Sequence, residues 1–186
     1  MTSETIIYNK ETFFKRDNLF WSTIRATPTI TFIYALIDFL LNNNWYLLLI
    51  ISADKIINHS LKTLLQWKFG DDKEICFLGY GRRPVNARNT GCFLKLDNAE
   101  STTYGMPSGH SQNAWLFTIY LITVLLKNNP QFIGLRIGLI ICYAATVSYS
   151  RVIENCHTSQ QVFLGGLIGI ITGLLYFCHD INIKII

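Results

Sequence analysis

The sequence predicts an all-α, integral-membrane helical bundle in one domain, with about five transmembrane helices. Only 15% of its 186 residues are charged, whereas soluble domains usually carry about 25%. Hydrophobic residues make up 50% of the chain, and the mean hydropathy is positive at +0.28. These residues form long runs that a water-soluble fold of this size would struggle to cover, which indicates a membrane protein.

The five predicted spans follow the apolar runs in order. They lie at about residues 20–41, 45–65, 110–126, 132–150 and 158–177. Crossing the hydrocarbon takes about 20 helical residues, so these runs suffice if they tilt or carry polar ends. Asn42–Asn44 form a polar turn between the first two runs. The fifth run contains glycines that permit close helix packing in lipid, namely Gly165, Gly166, Gly169 and Gly173.

Residues 66–109 interrupt this pattern and are predicted to form a functional loop. The segment combines glycine and proline with a concentration of basic residues. Loops longer than about 12–15 residues without structure are usually functional or disordered. With five spans, this loop shares one membrane surface with the start of the third helix, the end of the fourth and the start of the fifth. The polar segments of the chain are therefore expected at that surface.

The charge and the cysteines limit the possible partners. A net charge of +4 and an isoelectric point near 8.8 suit nucleic acid, anionic lipid or a phosphate-bearing substrate. Because the basic residues crowd between apolar runs, we expect a small or lipid-linked phosphate and no nucleic acid. The cysteines show no metal-binding spacing, so we expect no metal and no cofactor. Cys76 and Cys92 share the loop and could pair if it faces an oxidising compartment.

Three short segments carry the residues that phosphate chemistry needs. They are Gly-Arg-Arg-Pro at 81–84, Tyr-Gly-Met-Pro-Ser-Gly-His-Ser-Gln at 104–112, and Ser150-Arg151 followed by His157 and Gln161. Phosphoryl transfer without a metal requires cations and N–H donors for the non-bridging oxygens, an in-line nucleophile, and an acid for the leaving oxygen. Each segment alone is a weak signal, since such residues also cap or anchor helices. Their coincidence at one surface indicates a phosphate site.

The residue types suit distinct parts of such a site. Arg83 and Arg151 offer planar guanidinium groups that bind phosphate oxygens in pairs. The helix start at Pro-Ser-Gly-His offers Ser108 and free backbone N–H groups to an anion. His110 and His157 each open a helix and face one pocket, so one imidazole could attack phosphorus while the other protonates the departing oxygen. The pattern itself does not decide which histidine attacks.

The three segments resemble the motifs of the type 2 phosphatidic acid phosphatase superfamily, which read Lys-x6-Arg-Pro, Pro-Ser-Gly-His and Ser-Arg-x5-His-x3-Asp. The second and third segments are most similar to those of dolichyl diphosphatases. The resemblance implies a metal-free mechanism in which His157 forms a phosphohistidine and His110 protonates the leaving group. It also implies a set of phosphate-binding groups: Arg83, Arg151, Ser108 and the backbone of Gly109.

One departure from the family pattern concerns the residue four positions after His157. The family has aspartate there and this chain has Gln161. A glutamine amide can hold the imidazole tautomer but contributes less to stabilising its cation. Dolichyl diphosphatases look similar in carrying glutamine at this position. Gln161 is therefore kept among the predicted catalytic residues, beside the two histidines.

A second departure concerns the family lysine. The position seven residues before Arg83 is Cys76, so the first motif is broken. The segment Asn58–Lys62 resembles the residues that lead into the family lysine, which makes Lys62 the candidate phosphate-binding lysine. Lys73 is the alternative.

The favoured substrate is a phosphorylated lipid, polyprenyl (dolichyl-type) diphosphate, hydrolysed at the surface of the endoplasmic reticulum or another internal membrane. Phosphatidate or another phosphomonoester is the alternative substrate. Two hypotheses of other classes stay open. One is a serine hydrolase with Ser108 as nucleophile and His157 as base, which leaves the arginines without a role. The other is an inactive lipid-binding scaffold, motivated by the displaced lysine. Charge bias does not settle the orientation, because phosphate binding explains several loop cations.

Overall fold

The fold is known from a computed structural model that describes residues 19–71, 73–75, 77–87, 103–128 and 130–183, with side chains through residue 176. The predicted Cys76–Cys92 pair lies outside these residues. The helices are α1 Leu19–Arg25, α2 Thr27–Asn42, α3 Trp45–Phe69, α4 Gly109–Asn128, α5 Ile133–Ile153 and α6 Ser159–Ile183. Two short strands, β1 Glu74–Ile75 and β2 Gly79–Tyr80, lie between α3 and α4.

The first apolar run is not one straight span, which corrects the prediction for residues 20–41. Helices α1 and α2 meet at Ala26 with a bend of 68°. Pro28 lies in the first turn of α2, where its missing N–H and fixed φ are tolerated, but it cannot continue the hydrogen bonding of a preceding helix. The N–H of Thr29 accordingly bonds the carbonyl of Ala26, 2.9 Å away.

The loop predicted at residues 66–109 contains regular structure that the all-α prediction omitted. Its first residues belong to α3, which ends at Phe69 before Gly70 with a φ of +66°. The strands β1 and β2 then form an antiparallel hairpin that pairs Glu74 with Tyr80 and Ile75 with Gly79. The helical fold class is confirmed, with this hairpin as a local addition beside the site.

Helix α4 lies at the centre of the bundle and packs on α6, α5, α2 and α3. Its contact with α6 is the closest, as the glycines predicted. A Cβ on Gly165 would lie 2.4 Å from the Ser108 carbonyl oxygen, and one on Gly169 would lie 2.1 Å from that of Gln112. Both distances are shorter than van der Waals contact. The backbones of α4 and α6 therefore touch, which only glycine permits.

Apolar side chains lie on the outside of the bundle and polar ones in its interior, as in membrane proteins. Large apolar side chains such as Leu41, Leu139 and Phe163 are exposed, while Arg151 and Gln161 are fully buried. Among the described residues, two helices are long and apolar enough to cross a membrane, α5 and Ser159–Tyr176 of α6, and the bent α1–α2 pair makes a third if it counts as one span.

The spans predicted at 45–65 and 110–126 are present as α3 and α4, but neither is among these apolar candidates. The physical reason is their inward face, which is polar. It includes Asp54 on α3 and Gln112 and Asn113 on α4, all buried. Membrane helices keep such groups towards the bundle interior and away from lipid. That all five segments cross the bilayer stays a prediction.

Candidate active site

The three sequence segments converge at one end of the bundle, where α5 ends and where α4 and α6 begin. The segment 81–84 follows β2, and the segment 104–112 runs into α4. They are joined by two backbone hydrogen bonds, since the Gly81 carbonyl accepts from the N–H groups of Gly105, at 2.9 Å, and Met106, at 3.1 Å. A Cβ on Gly81 would lie 1.6 Å from the Tyr104 hydroxyl. Glycine is therefore required where these segments cross.

The turn after α5 places His157 against the end of that helix. Asn155 adopts a left-handed φ of 55°, and the N–H groups of Cys156 and His157 both bond the carbonyl of Arg151, at 3.0 and 3.2 Å. Such bonds satisfy carbonyls that a helix end would leave free. His157 is buried as a result, and the turn holds it beside Arg151.

The side chain of Gln161 fixes the orientation of the His157 ring. Its amide nitrogen donates to the carbonyls of Arg82, at 2.7 Å, and Tyr80, at 3.1 Å. Its amide oxygen must then face His157, whose Nδ1 lies 3.1 Å away. An amide oxygen only accepts, so Nδ1 carries the proton and Nε2 holds a lone pair. A Cβ on Gly105 would lie 2.5 Å from this oxygen, so Gly105 makes room for the amide.

Arg83 lies on the opposite side of the His157 ring. Its Nη1 is 3.3 Å from Nε2 of His157 and donates to the Cys156 carbonyl at 2.9 Å. A guanidinium only donates, so this contact again requires an unprotonated Nε2. Its Nε and Nη2 both bond the Thr103 hydroxyl, at 3.2 and 3.0 Å. The guanidinium is thus held next to the lone pair of His157.

Burial lowers the pKa of His157 well below its usual 6.5, and the charges of Arg83 and Lys62 lower it further. The hydrogen bond from Gln161 opposes this shift. Burial also lowers the pKa of Arg83. The arrangement therefore favours a neutral His157 whose Nε2 is available as a nucleophile.

The Pro-Ser-Gly-His segment leads into α4 as predicted, and its serine N–H is already paired. The N–H of Ser108 bonds the Gln161 carbonyl at 3.0 Å, so it is not free for an anion. The first helical bond of α4 runs from Gln112 N–H to the Ser108 carbonyl at 3.0 Å. The N–H groups of Gly109 and His110 precede that bond and belong to the positive end of the helix.

The Ser108 hydroxyl is buried and has no hydrogen-bond partner within the described part of the chain. An unpaired buried hydroxyl costs free energy unless a ligand or water pairs with it. A phosphate oxygen at the start of α4 would be such a partner. The geometry thus fits the phosphate-binding role predicted for Ser108 and Gly109.

His110 is held from a different side, by the break in the first helix. Its Nε2 lies 3.2 Å from the carbonyl of Arg25, the last residue of α1 before the bend. Because a carbonyl only accepts, Nε2 of His110 carries a proton, and Nδ1 is the nitrogen that can exchange one with a substrate. His110 is also near enough to interact electrostatically with His157, Arg151 and Arg83.

Arg151 is fully buried and bound to a carboxylate that the sequence did not single out. Its Nη2 bonds Glu154 at 2.5 Å, and its Nε bonds the Ser150 hydroxyl at 3.1 Å. The other carboxylate oxygen of Glu154 pairs with Nη1 of Arg25 at 3.0 Å. One carboxylate therefore joins a predicted phosphate-binding arginine to helix α1.

Lys62 is the lysine that the structure places at the site. Its Nζ donates to the Tyr104 carbonyl at 2.9 Å, and its charge acts on His157. Lys73, the alternative, is exposed. Asn58 and Asp54 lie one and two turns earlier on the same face of α3. They bond Gln112 at 2.8 and 2.6 Å, respectively.

The three sequence segments do not include Arg25, Glu154 or Thr103. They also omit Asp54 and Asn58, which lie on the same face of α3 as Lys62. A visible signal existed for that face, because Asp54, Asn58 and Lys62 recur every four residues. Pro28 inside an apolar run was a signal for the helix break. No pattern links Arg25 with Glu154, which are 129 positions apart.

The fold and the site together define a class of protein: a helical membrane protein with a buried polar site that brings together two arginines and two histidines. Within that class, the chain belongs to the PAP2 superfamily, whose profile matches residues 43–182. This result confirms the family indicated by the three sequence segments.

Individual relatives are similar over part of the chain. Dolichyldiphosphatase 1 from Mus musculus is 40% identical over 90 residues, covering 42% of this chain and 37% of that protein. The protein of the same name from Dictyostelium discoideum is 41% identical over 81 residues, covering 40% and 35%. Lipid phosphate phosphatase gamma from Arabidopsis thaliana is 35% identical over 96 residues, covering 49% and 41%. The matches thus span less than half of each relative. No solved structure matches the chain significantly.

Proposed function

We propose that this protein is a metal-independent membrane phosphatase that hydrolyses a phosphorylated lipid through a phosphohistidine at His157. The observation that carries the proposal is the state of the His157 ring. Nδ1 is hydrogen-bonded to Gln161 at 3.1 Å, and Nε2 lies 3.3 Å from Arg83. The nucleophilic lone pair therefore lies beside a cation that can hold the phosphate under attack.

The reaction divides into two steps. In the first, the lone pair of His157 Nε2 forms a bond to phosphorus while the bond from phosphorus to the leaving oxygen breaks. That oxygen takes a proton from His110. In the second, water attacks the phosphohistidine, the phosphorus–nitrogen bond breaks, and a water proton returns to His110. Phosphate leaves, and both histidines recover their starting states.

The remaining predicted residues bind the phosphate oxygens. Arg83 would exchange its bonds to Thr103 and His157 for phosphate, and Arg151 would bind from the end of α5. The Ser108 hydroxyl would gain the partner it lacks, and the Gly109 N–H lies at the helix N-terminus. Lys62 contributes positive charge without a planar fork. Gln161 acts on His157 and positions it, with no direct role towards the phosphate.

The favoured substrate is polyprenyl (dolichyl-type) diphosphate. The names of the mouse and Dictyostelium relatives support a dolichyl diphosphate, and glutamine at position 161 supports the same subgroup. The Arabidopsis relative, a lipid phosphate phosphatase, supports the alternative of phosphatidate or another phosphomonoester. We place the protein in the endoplasmic reticulum or another internal membrane, as the resemblance to dolichyl diphosphatases implies.

The geometry disfavours the serine-hydrolase hypothesis. A serine nucleophile needs a base within hydrogen-bond reach, yet the Ser108 hydroxyl has no such partner among the described residues. His157 is instead engaged with Gln161 and Arg83. The inactive-scaffold hypothesis was motivated by the displaced lysine, and the place of Lys62 at the site weakens that motive.

Purified protein in detergent tests the proposal by phosphate release from polyprenyl diphosphate and phosphatidate, with chelator present and with vanadate as inhibitor. We expect vanadate-sensitive release without divalent metal. His157→Ala should lower it by about 10⁴-fold or more, while His59→Ala, at an exposed histidine of α3, should not. Release that requires Mg²⁺ or survives His157→Ala contradicts the mechanism. Vanadate binding without turnover would favour the scaffold.

A further inference from the structure

We infer that Arg25 and Glu154 form a positioning pair that orients His110 for proton transfer. Helix α1 thereby contributes a positioning residue to the active site. The inference rests on the proposed phosphatase function and extends it to two residues outside the three sequence segments. Both residues act through others: Arg25 through His110, and Glu154 through Arg25 and Arg151.

The first link is the backbone of Arg25. Arg25 is the last residue of α1, directly before the bend at Ala26. Its carbonyl lies 3.2 Å from Nε2 of His110. The place of α1 thus determines where the His110 ring lies and which of its nitrogens faces the site.

The second link is the side chain of the same residue. The guanidinium of Arg25 pairs with Glu154 at 3.0 Å and bonds the Ser22 hydroxyl at 3.2 Å. The Arg25 and Glu154 side chains are 3% and 7% exposed. Separating the two buried charges would leave each without a partner and without water, which costs free energy. The pair is therefore expected to stay in contact. The pair holds α1 against the end of α5.

The third link joins this pair to the phosphate site. Glu154 follows the last residue of α5 and also binds Arg151. The same carboxylate therefore sets the distance between α1, which carries the His110 contact, and the arginine predicted to hold the phosphate. A shift of α1 would move the acid relative to a phosphate that stays bound.

The chemical consequence concerns the leaving group. His110 donates its proton to the oxygen that departs when the phosphorus–oxygen bond breaks. An alcohol is a weak acid and needs that proton in the transition state, whereas para-nitrophenolate departs without it. Misplacing His110 should therefore slow hydrolysis of an alkyl phosphate much more than hydrolysis of para-nitrophenyl phosphate.

The test compares kcat/KM for a long-chain alkyl phosphate and for para-nitrophenyl phosphate, measured in one preparation of each full-length variant. Their ratio does not depend on the fraction of folded protein. We expect Arg25→Gln to lower the ratio by about tenfold or more, with vanadate inhibition unchanged. Arg25→Lys should restore it, because lysine can still pair with Glu154. Glu154→Gln should lower the ratio to a similar extent and also weaken vanadate inhibition, through Arg151.

Arg136→Gln is the matched control, since this arginine is exposed near the start of α5, and it should leave the ratio unchanged. The double variant Arg25→Gln/Glu154→Gln should have the ratio of the single variants, because both act through one contact. Equal losses on both substrates, no rescue by lysine, or multiplied losses in the double variant would each overturn the inference. If the unaltered protein releases phosphate from neither substrate, the proposed function itself fails.

Discussion

The two histidines of the site are oriented by different kinds of partner. His157 is held by a side chain, Gln161, whose amide is fixed by backbone carbonyls of the segment after β2. His110 is held by a backbone carbonyl, that of Arg25, the last residue of α1 before the bend. Gln161 follows His157 at a fixed spacing, so the sequence motif identifies it. Arg25 lies on a helix far from His110 in the chain, so no sequence motif identifies it.

The difference also matches the proposed chemistry. A cation faces Nε2 of His157, which disfavours protonation of that nitrogen and keeps it nucleophilic. A carbonyl oxygen faces Nε2 of His110, so that nitrogen carries a proton and Nδ1 is the nitrogen that can exchange one with a substrate. This arrangement is compatible with the roles proposed above, His157 as nucleophile and His110 as acid.

The largest expected effect tests this division directly. His110→Asn should lower kcat/KM for an alkyl phosphate by about 10²- to 10⁴-fold, and para-nitrophenyl phosphate much less, because only the alcohol requires the acid. His157→Ala should affect both substrates alike, since both need the nucleophile. Steady-state assays with the two substrates measure this. If His110→Asn slows both equally, the two rings do not divide the roles in this way.

A smaller effect is expected from the partner of the nucleophile. Gln161→Leu removes the acceptor for Nδ1 and should lower kcat by about 10- to 100-fold, the usual size for a group that orients a functional imidazole. The change should be equal for alkyl and aryl phosphates, unlike that of Arg25→Gln. Gln160→Leu, at the exposed neighbouring position, is the control. A change in the substrate ratio with Gln161→Leu would mean that it also acts on His110.

The smallest expected effect is a change in the pKa of His157. Burial and the charges of Arg83 and Lys62 hold the pKa of His157 well below 6.5, so the ring stays neutral as the pH falls through 6.5. Arg83→Met removes one of these charges and should raise the pKa towards 6.5, although burial remains. NMR of ¹⁵N-labelled histidine without substrate follows the ring, assigned with His157→Ala. Arg136→Met should cause no shift, and a lower pKa in Arg83→Met would contradict the stated cause.

The sequence predicted those parts of the site whose residues lie close together in the chain. Gln161 lies four residues from His157, and the glycines of the fifth run predicted a close helix contact, which the structure forms between α6 and α4. Composition and apolar runs were enough for the helical membrane class. These features are encoded within a single segment, so a single segment reveals them.

The features that escaped prediction depend on contacts between distant segments. The Arg25–Glu154 pair spans 129 positions, and its residues look like ordinary interface charges. The bond from the Ser108 N–H to the Gln161 carbonyl was not predicted, because it depends on how closely α6 packs on α4. Pro28 was a local signal for the bend at Ala26. The direction of the bend depends on the packing of α1 on α5 and of α2 on α4. Tertiary contacts, which sequence spacing does not encode, decide these points.

The touching backbones of α4 and α6 also limit how the site can move. His110 lies in the first turn of one of these helices and His157 directly precedes the other. Since the two backbones are in contact at Gly165 and Gly169, the helices cannot approach each other further, and this contact sets the spacing between the two histidines.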